Sequence, residues 1–508
     1  MTCVVHSGAL VGVDGVPVRV EVDLLRRLPS VVIVGLPGGA VRESADRVRS
    51  ALQEAGFEFP KKRVVVNLAP ADLRKEGTAF DLPIAVGILA KSGQVAMAKL
   101  ADTLFVGELS LDGRLRRVPG ALSLALQAAE AGAQRIVVPA ESAPEAAHVT
   151  GVTVLAAQSL ADVTAWLDGE ADLPLAAAPE AEPHGAPLDL AEVRGQHRAR
   201  RALEVAAAGG HNLLLMGSPG CGKTMLAARL PTILPSLTFA ESIDITRIWS
   251  VAGVLAPGQG RVTRRPFRAP HHSISAAGMG GGARLRPGEV SLPHHGVLFL
   301  DELPEFHRPV LELLRQPLEA GEIHIHRVRG AVAFPARFAL IAAANPCPCG
   351  FAGHPRRPCV CSPAQADRYR GRLSGPLLDR IDLHVWVQPV ESDQLVQGRP
   401  GEPSAAVRAR VEAARARQRD RFGARGPTCN AHLRGDAIRA AANPTAEASR
   451  LLQQTLDTHA LSARAWARIL KVARTIADLA DEPQVGPAHV LEASSYRTPL
   501  DQQSPEAP

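Results

Sequence analysis

The segment GSPGCGKT, made of Gly217, Ser218, Pro219, Gly220, Cys221, Gly222, Lys223 and Thr224, follows the apolar run Asn212–Met216 and precedes a helix-compatible stretch, Met225–Leu230. A strand, a glycine turn and a helix in that order constrain the fold to an α/β sheet that presents a phosphate loop at a strand's carboxyl end. The glycines let backbone N–H groups surround phosphates, Lys223 brings a charge to the outer phosphates, and Thr224 offers a hydroxyl to Mg²⁺. Two further apolar runs complete the pattern. Val297–Leu300 ends in Asp301 and Glu302, and Ala339–Ala344 ends in Asn345. Asp301 is expected to hold the Mg²⁺ shell and Glu302 to orient and deprotonate the attacking water. Asn345 is expected to hydrogen-bond that water or the terminal phosphate. The three stretches predict an ATP hydrolase with ATP and Mg²⁺ as cofactors.

With 508 residues the chain is expected to form about three domains, each with its own core. A hydrophobic fraction of 46% with 21% charged residues is that of a soluble globular protein. No apolar run approaches a membrane-spanning length, and the start MTCVVHSGALVGVDG lacks a basic segment before an apolar one. A cytoplasmic protein without a membrane partner is the expectation. The net charge of +6, carried almost wholly by arginine, permits nucleic-acid binding without establishing it. Seven cysteines in such a chain argue for free thiols or a metal rather than disulfides.

Residues 1–170 mix strand-like runs (Val31–Val34, Arg63–Leu68, Leu104–Val106, Arg135–Val138) with helical ones (Ser44–Ala55, Leu82–Leu89, Ala121–Ala131). Residues 171–188, rich in Ala, Pro and Glu, read as a linker. Residues 189–390 repeat strand, loop and helix. Residues 391–500 read as a helical domain, with helices at Val407–Arg421, Ala446–Thr458, Ala463–Leu479 and Pro487–Ser494, and 501–508 as a disordered tail.

Two arginines are candidates for the cation that developing phosphoryl charge requires, often from a neighbouring subunit: Arg380 in SGPLLDRIDLHV and Arg464 in LSARAWARILKVARTIADL. For Arg380 an ion pair with Asp379 or Asp382 is the alternative. Cys347, Cys349, Cys359 and Cys361 form C-x-C-x₉-C-x-C directly after Asn345. Such pairs can surround a structural Zn²⁺, the alternative being reduced thiols in an exposed loop. Arg356 and Arg357 lie between them and could meet a phosphate backbone. Cys3 and Cys429 are isolated. His271 with His272, and His294 with His295, could bind metal or serve as hydrogen-bonding groups.

The phosphate loop, GVLFLDELPEF, ALIAAANPCPCG, SGPLLDRID and the Arg464 helix together resemble the AAA+ ATPases of the magnesium-chelatase type, and among them the YifB/ComM group of bacterial proteins. The resemblance covers nearly the whole chain. It implies an AAA+ α/β core of parallel strands with a C-terminal helical lid, preceded by an α+β domain. It also implies a ring, expected to be hexameric, with ATP at subunit interfaces. Arg380 would then be the arginine finger acting in trans and Arg464 the second sensor. Ser250–Arg286 would correspond to the family's inserted hairpin region facing the pore. A second hairpin, Glu322–Arg337, would carry Arg327 and Arg329 near its turn.

The N-terminal domain is similar in outline to Lon-type protease domains. That chemistry needs a serine activated by a neutral lysine, yet the serine position falls at Ala79 in KEGTAFD and no lysine occurs from Ala101 to Gly222. Arginine does not give up a proton near neutral pH, and Thr78 is the remaining conceivable nucleophile. The domain is expected to be an inactive relative. For the ATPase, the resemblance implies action on DNA, branch migration in the case of ComM members, with Arg327, Arg329, Arg356 and Arg357 contacting phosphates. A magnesium chelatase-type subunit is the alternative, although a D-x-S-x-S motif is absent. So is an ATP-driven protein-remodelling factor, although a GAFTGA loop is absent.

Overall fold

The computed structural model describes residues 2–179, 188–282, 285–327, 330–390, 400–423, 426–458 and 462–497. Arg329 and the expected tail 501–508 lie outside the described residues.

The N-terminal domain is built on a seven-stranded sheet: β1 (Cys3–Val11), β2 (Asp14–Leu25), β3 (Ser30–Val34), β4 (Arg63–Ala69), β5 (Thr103–Phe105), β6 (Arg135–Pro139) and β7 (Thr153–Ala157). Their order is β3-β4-β2-β1-β5-β6-β7. Helices α1 (Ser44–Glu54), α2 (Asp81–Ser92), α3 (Ala121–Glu130) and α4 (Leu160–Asp168) pack on it. β4 shows the alternation that predicts a strand with one covered face: Val64, Val66 and Leu68 are buried between half-exposed neighbours. The expected linker begins later than composition suggests. Ala156 N–H donates to the Pro174 carbonyl and Ala176 N–H to the Val154 carbonyl, both at 2.9 Å, so residues 174–176 extend the sheet beside β7. In KEGTAFD the Thr78 hydroxyl donates to the Glu108 carboxylate, and the Lys75 ammonium is buried against the Pro70 carbonyl.

The second body holds α5 (His197–Gly209), β8 (Leu213–Met216), α6 (Lys223–Ile233), α7 (Phe239–Ala252), β9 (Phe267–Arg268), β10 (Val297–Leu300), β11 (Glu322–Arg327), β12 (Gly330–Pro335), β13 (Ala339–Ala344) and β14 (Leu383–Trp386). Five strands form one parallel sheet in the order β9-β10-β13-β8-β14. Its three central strands are almost uniformly apolar because helices cover both faces. The strand ending in Asn345 therefore lies between the one that feeds the phosphate loop and the one that ends at Asp301. β11 and β12 pair as an antiparallel hairpin with Arg327 opposite Gly330 at its end.

Helices α8 (Ser404–Phe422), α9 (Ala446–Thr458), α10 (Ala463–Leu479) and α11 (Pro487–Ser495) follow. Among the described residues no strand occurs after β14. One continuous apolar core runs from Leu213, Leu215 and Val385 in the sheet to Ile469, Leu470 and Val490 in these helices. The helical domain is tied to one end of the sheet by the Arg468–Asp382 ion pair, by a His211–Thr475 contact of 2.8 Å, and by His384 N–H donating to the Tyr496 carbonyl. No helix among the described residues is long and apolar enough to cross a membrane.

The N-terminal domain docks on α7. Gly120 N–H donates to Ser250 Oγ at 2.8 Å, Arg117 donates to the Leu255 carbonyl at 2.7 Å, and Arg247 pairs with Asp14. Glu145 is buried at this junction. Burial pushes its carboxyl up to about 7, which the Ser250 hydroxyl and Arg117 offset only in part. A carboxyl raised on folding stabilises the fold below its unfolded value, and that contribution is lost as pH rises through 7. Glu145→Gln is therefore expected to leave the melting temperature unchanged near pH 4, below the unfolded value of 4.5. Near pH 8 it should raise it, by about 2–4 °C for each kcal/mol recovered. Thermal unfolding at the two pH values checks this.

Candidate functional site

The phosphate loop closes between Met216 and Lys223, and α6 begins at Lys223, earlier than the periodicity of Met225–Leu230 suggests. Gly220 and Gly222 have φ of +77° and +94°, a left-handed backbone that other residues resist. Gly217 is required for space, since a Cβ there would sit 2.4 Å from the Val387 carbonyl oxygen. Lys223 is 8% exposed, and its Nζ donates to the carbonyls of Gly217 (2.7 Å) and Ser218 (3.0 Å) and to Asn345 Oδ1 (3.1 Å). Burial pulls its ammonium below the usual lysine range, and the Asp301 and Glu302 carboxylates work against that. Thr224 Oγ1 donates to Asp301 Oδ2 at 2.8 Å. A hydroxyl and a carboxylate so paired, at a helix N-terminus, are the hard oxygen donors that Mg²⁺ takes.

Asp301 Oδ1 accepts from the Glu302 N–H at 2.9 Å. Glu302 itself has a φ of +52°, a strained conformation for a residue with a side chain. Its carboxylate is exposed and lies 3.2 Å from His272 Nδ1. That contact is invisible in the sequence, because 30 residues separate the two and no short motif joins them. The structure thus brings Lys223, Thr224, Asp301, Glu302 and Asn345 together at the carboxyl edge of one parallel sheet, where ligands of such sheets sit.

The two candidate arginines lie elsewhere. Asn212, at the amino end of β8, donates from Nδ2 to the Arg380 carbonyl at 2.9 Å, and its N–H reaches Asp382 at 3.3 Å. Four strand residues, about 13 Å, separate that end from the phosphate loop. Arg380 pairs with Glu319, rather than with Asp379 or Asp382, and donates to the Pro376 carbonyl at 2.6 Å. Asp382 instead meets His211 and Arg468, which hold its carboxyl well below the usual range despite burial. Arg464 is mostly exposed, with its guanidinium 3.6 Å from Asp379. It shares with Arg380, Arg468 and Lys471 a cavity of about 180 Å³. Arg464, expected as the second sensor, is thus carried by the helical domain to the sheet's other end, beside Arg380.

The four cysteines cluster. Cys347 Sγ lies 3.4 Å from Cys349 Sγ and 3.6 Å from Cys359 Sγ, and Cys349 to Cys359 is 3.6 Å. All four sulfurs fall within 4.8 Å of one another. Arg356 and Arg357 are exposed on the loop between them, with the Arg357 guanidinium 5.4 Å from the Phe351 ring centre. Among the described residues the other group able to hold a metal is Asp244, His294 and His295. There His294 Nδ1 accepts the Arg337 N–H at 3.0 Å, and burial pushes its imidazole down to about 3, so it stays neutral. His271 Nδ1 faces the Ser273 hydroxyl at 2.9 Å.

Three family models match the chain in succession. "Subunit ChlI of Mg-chelatase" covers residues 20–142, "Magnesium chelatase, subunit ChlI" covers 189–395, and "Magnesium chelatase, subunit ChlI C-terminal" covers 401–497. The competence protein ComM of Haemophilus influenzae is 45% identical over 509 residues, covering 97% of each chain. The uncharacterized protein YifB of Escherichia coli is 45% identical over 498 residues, covering 97% of this chain and 96% of its own. An uncharacterized protein of Mycobacterium tuberculosis is 44% identical over 494 residues, covering 97% of each. The site and the similarity over the whole chain agree, and the chain belongs to the YifB/ComM family of magnesium-chelatase-like AAA+ proteins.

Proposed function

We propose that the protein is one subunit of an ATP-hydrolysing ring, hexameric as in the AAA+ pattern it resembles, that acts on DNA in recombination or transformation. The observation that carries the ATPase reading is the pair of contacts Lys223–Asn345 and Thr224–Asp301 at one sheet edge. Lys223 would exchange the Gly217 and Ser218 carbonyls for the outer phosphates, and loop N–H groups would take the remaining phosphate oxygens. Mg²⁺, held by Thr224 and Asp301, would neutralise charge on the phosphates. Glu302, released from His272, would take a proton from the water that attacks the γ-phosphorus, and Asn345 would orient that water. Arg380 and Arg464 sit together at the amino end of the sheet, the length of a strand away from the edge that holds their own loop, a placement that suits the loop of a neighbouring copy better than their own. That supports the ring and extends the trans role from Arg380 to Arg464.

DNA is favoured by the name of one relative, a competence protein, by the exposed Arg356 and Arg357, and by Arg327 near the tip of the β11–β12 hairpin. Arg329 is proposed on sequence alone. The cofactors of this reading are ATP, Mg²⁺ and a structural Zn²⁺ at the four cysteines, in a cytoplasmic setting. The N-terminal domain is proposed as a non-peptidase module, since Ala79 occupies the serine position and the Thr78 hydroxyl is engaged by Glu108.

Glu302→Gln is expected to keep ATP binding while turnover falls about 100-fold or more. Lys223→Ala should weaken ATP binding itself by about 2–5 kcal/mol. Fluorescent-nucleotide binding alongside phosphate release separates the two. Removing Arg356 and Arg357 together should lower the slope of log affinity for DNA against log salt by about two. It should leave DNA-independent turnover intact. Branched, duplex and single-stranded DNA, an unfolded protein and a porphyrin, each added to the ATPase assay, test the substrate class. A rate indifferent to every DNA, together with no DNA binding at low salt, would sink the DNA reading.

A further inference from the structure

We infer that Cys347, Cys349, Cys359 and Cys361 bind one zinc ion whose task is to brace the nucleotide loop. The sulfurs of Cys347, Cys349 and Cys359 lie 3.4–3.6 Å apart, close to the roughly 3.8 Å between ligands of a tetrahedral ion with Zn–S bonds of about 2.3 Å, and the Cys361 sulfur lies within 4.8 Å of them. These separations are too long for disulfides, and all seven cysteines are free thiols. A set made only of thiolates selects a soft or borderline ion. Sulfurs packed this closely leave room for one ion between them, not a binuclear cluster. Backbone donors already point at the sulfurs: Ala352 N–H to Cys347 Sγ at 3.3 Å and Cys349 N–H to Cys361 Sγ at 3.4 Å. Such donors stabilise and orient metal-bound thiolates.

The loop has little else to hold it. Residues 355–360 are all exposed, Val360 is 83% exposed, and glycine and proline recur through it. Apolar burial of that extent does not offset the entropy of ordering the segment, whereas an ion joining its two ends does. What the ion would order lies against the phosphate loop on two sides. Cys347 is fully buried two residues beyond Asn345, whose Oδ1 takes the Lys223 ammonium. Gly350, at a φ of +82°, leans on Pro219 so closely that a Cβ there would come within 2.5 Å of its ring. The zinc knuckle is thus a wall of the nucleotide site as well as a carrier of arginines.

The brace rests on the reading of Gly217–Thr224 as the nucleotide loop, and zinc content and amide deuterium uptake test it without any turnover. Protein purified without chelators should contain one zinc per chain, and cobalt in its place should give the absorption of a tetrahedral thiolate site. Cys359→Ser with Cys361→Ser should lose the metal. It should raise deuterium uptake across Gly217–Thr224 and at Asn345, with uptake in β1–β7 unchanged as the folding control. Gly350→Ala should keep the zinc and still raise uptake in the phosphate loop, with ATP affinity falling about tenfold or more. Iron in place of zinc, protein without metal, or a zinc-free variant whose loop uptake equals that of the parent would each overturn the inference. Zinc-dependent protection of the loop in a protein that never hydrolyses ATP would leave the brace standing and remove the ATPase reading.

Discussion

The hydrogen bond from Lys223 to Asn345 joins the start of α6, which follows β8, to the end of the adjacent parallel strand β13, and most of the site depends on it. A hydrogen bond to a charged group contributes about 1.5–3 kcal/mol, and here it also fixes direction. It turns the lysine toward the carboxyl edge of the sheet, where Thr224 and Asp301 already meet. The strand order makes that possible, since β13 lies between β8 and β10. An order that separated β13 from β8 would leave Asn345 a strand's width too far from the lysine.

The polarity of the same sheet divides the remaining machinery. A parallel sheet has one carboxyl edge, so phosphate-binding groups gather there while Arg380 and the helical domain gather at the other end. Arg468 with Asp382 and His211 with Thr475 lock the helical domain to that end. In the proposed ring, a chain so built would carry one half of a site at each edge and complete neither alone. The Glu319 carboxylate holding Arg380 is what a neighbour's phosphates would have to displace.

The phosphate loop, the acidic strand end and Asn345 were legible because each is a short motif whose residue types are dictated by phosphate and metal chemistry. The cysteine spacing was legible for the same reason. Positions set by packing across long sequence distances were not. Nothing in the periodicity of Ala463–Leu479 tells at which end of the sheet that helix docks, so the place of Arg464 was not legible. Arg380 pairs with Glu319, 61 residues away, rather than with the aspartates beside it in sequence. His272 meets Glu302 and Gly350 meets Pro219 through loop geometry that one sequence does not encode. Residues 174–176 looked like linker by composition, yet their backbone groups complete a sheet edge. Backbone pairing of that kind leaves little mark on residue choice.

The most direct test of a site shared between subunits is the turnover of mixed variants. Glu302→Gln protein keeps both arginines but lacks the base, and Arg380→Ala protein keeps the base but lacks the arginine. A shared site predicts that each alone is nearly inactive, and that mixing them restores ATP hydrolysis at interfaces pairing an intact loop with an intact Arg380. Full turnover by Arg380→Ala protein alone, or mixtures no more active than the sum of their parts, would contradict it.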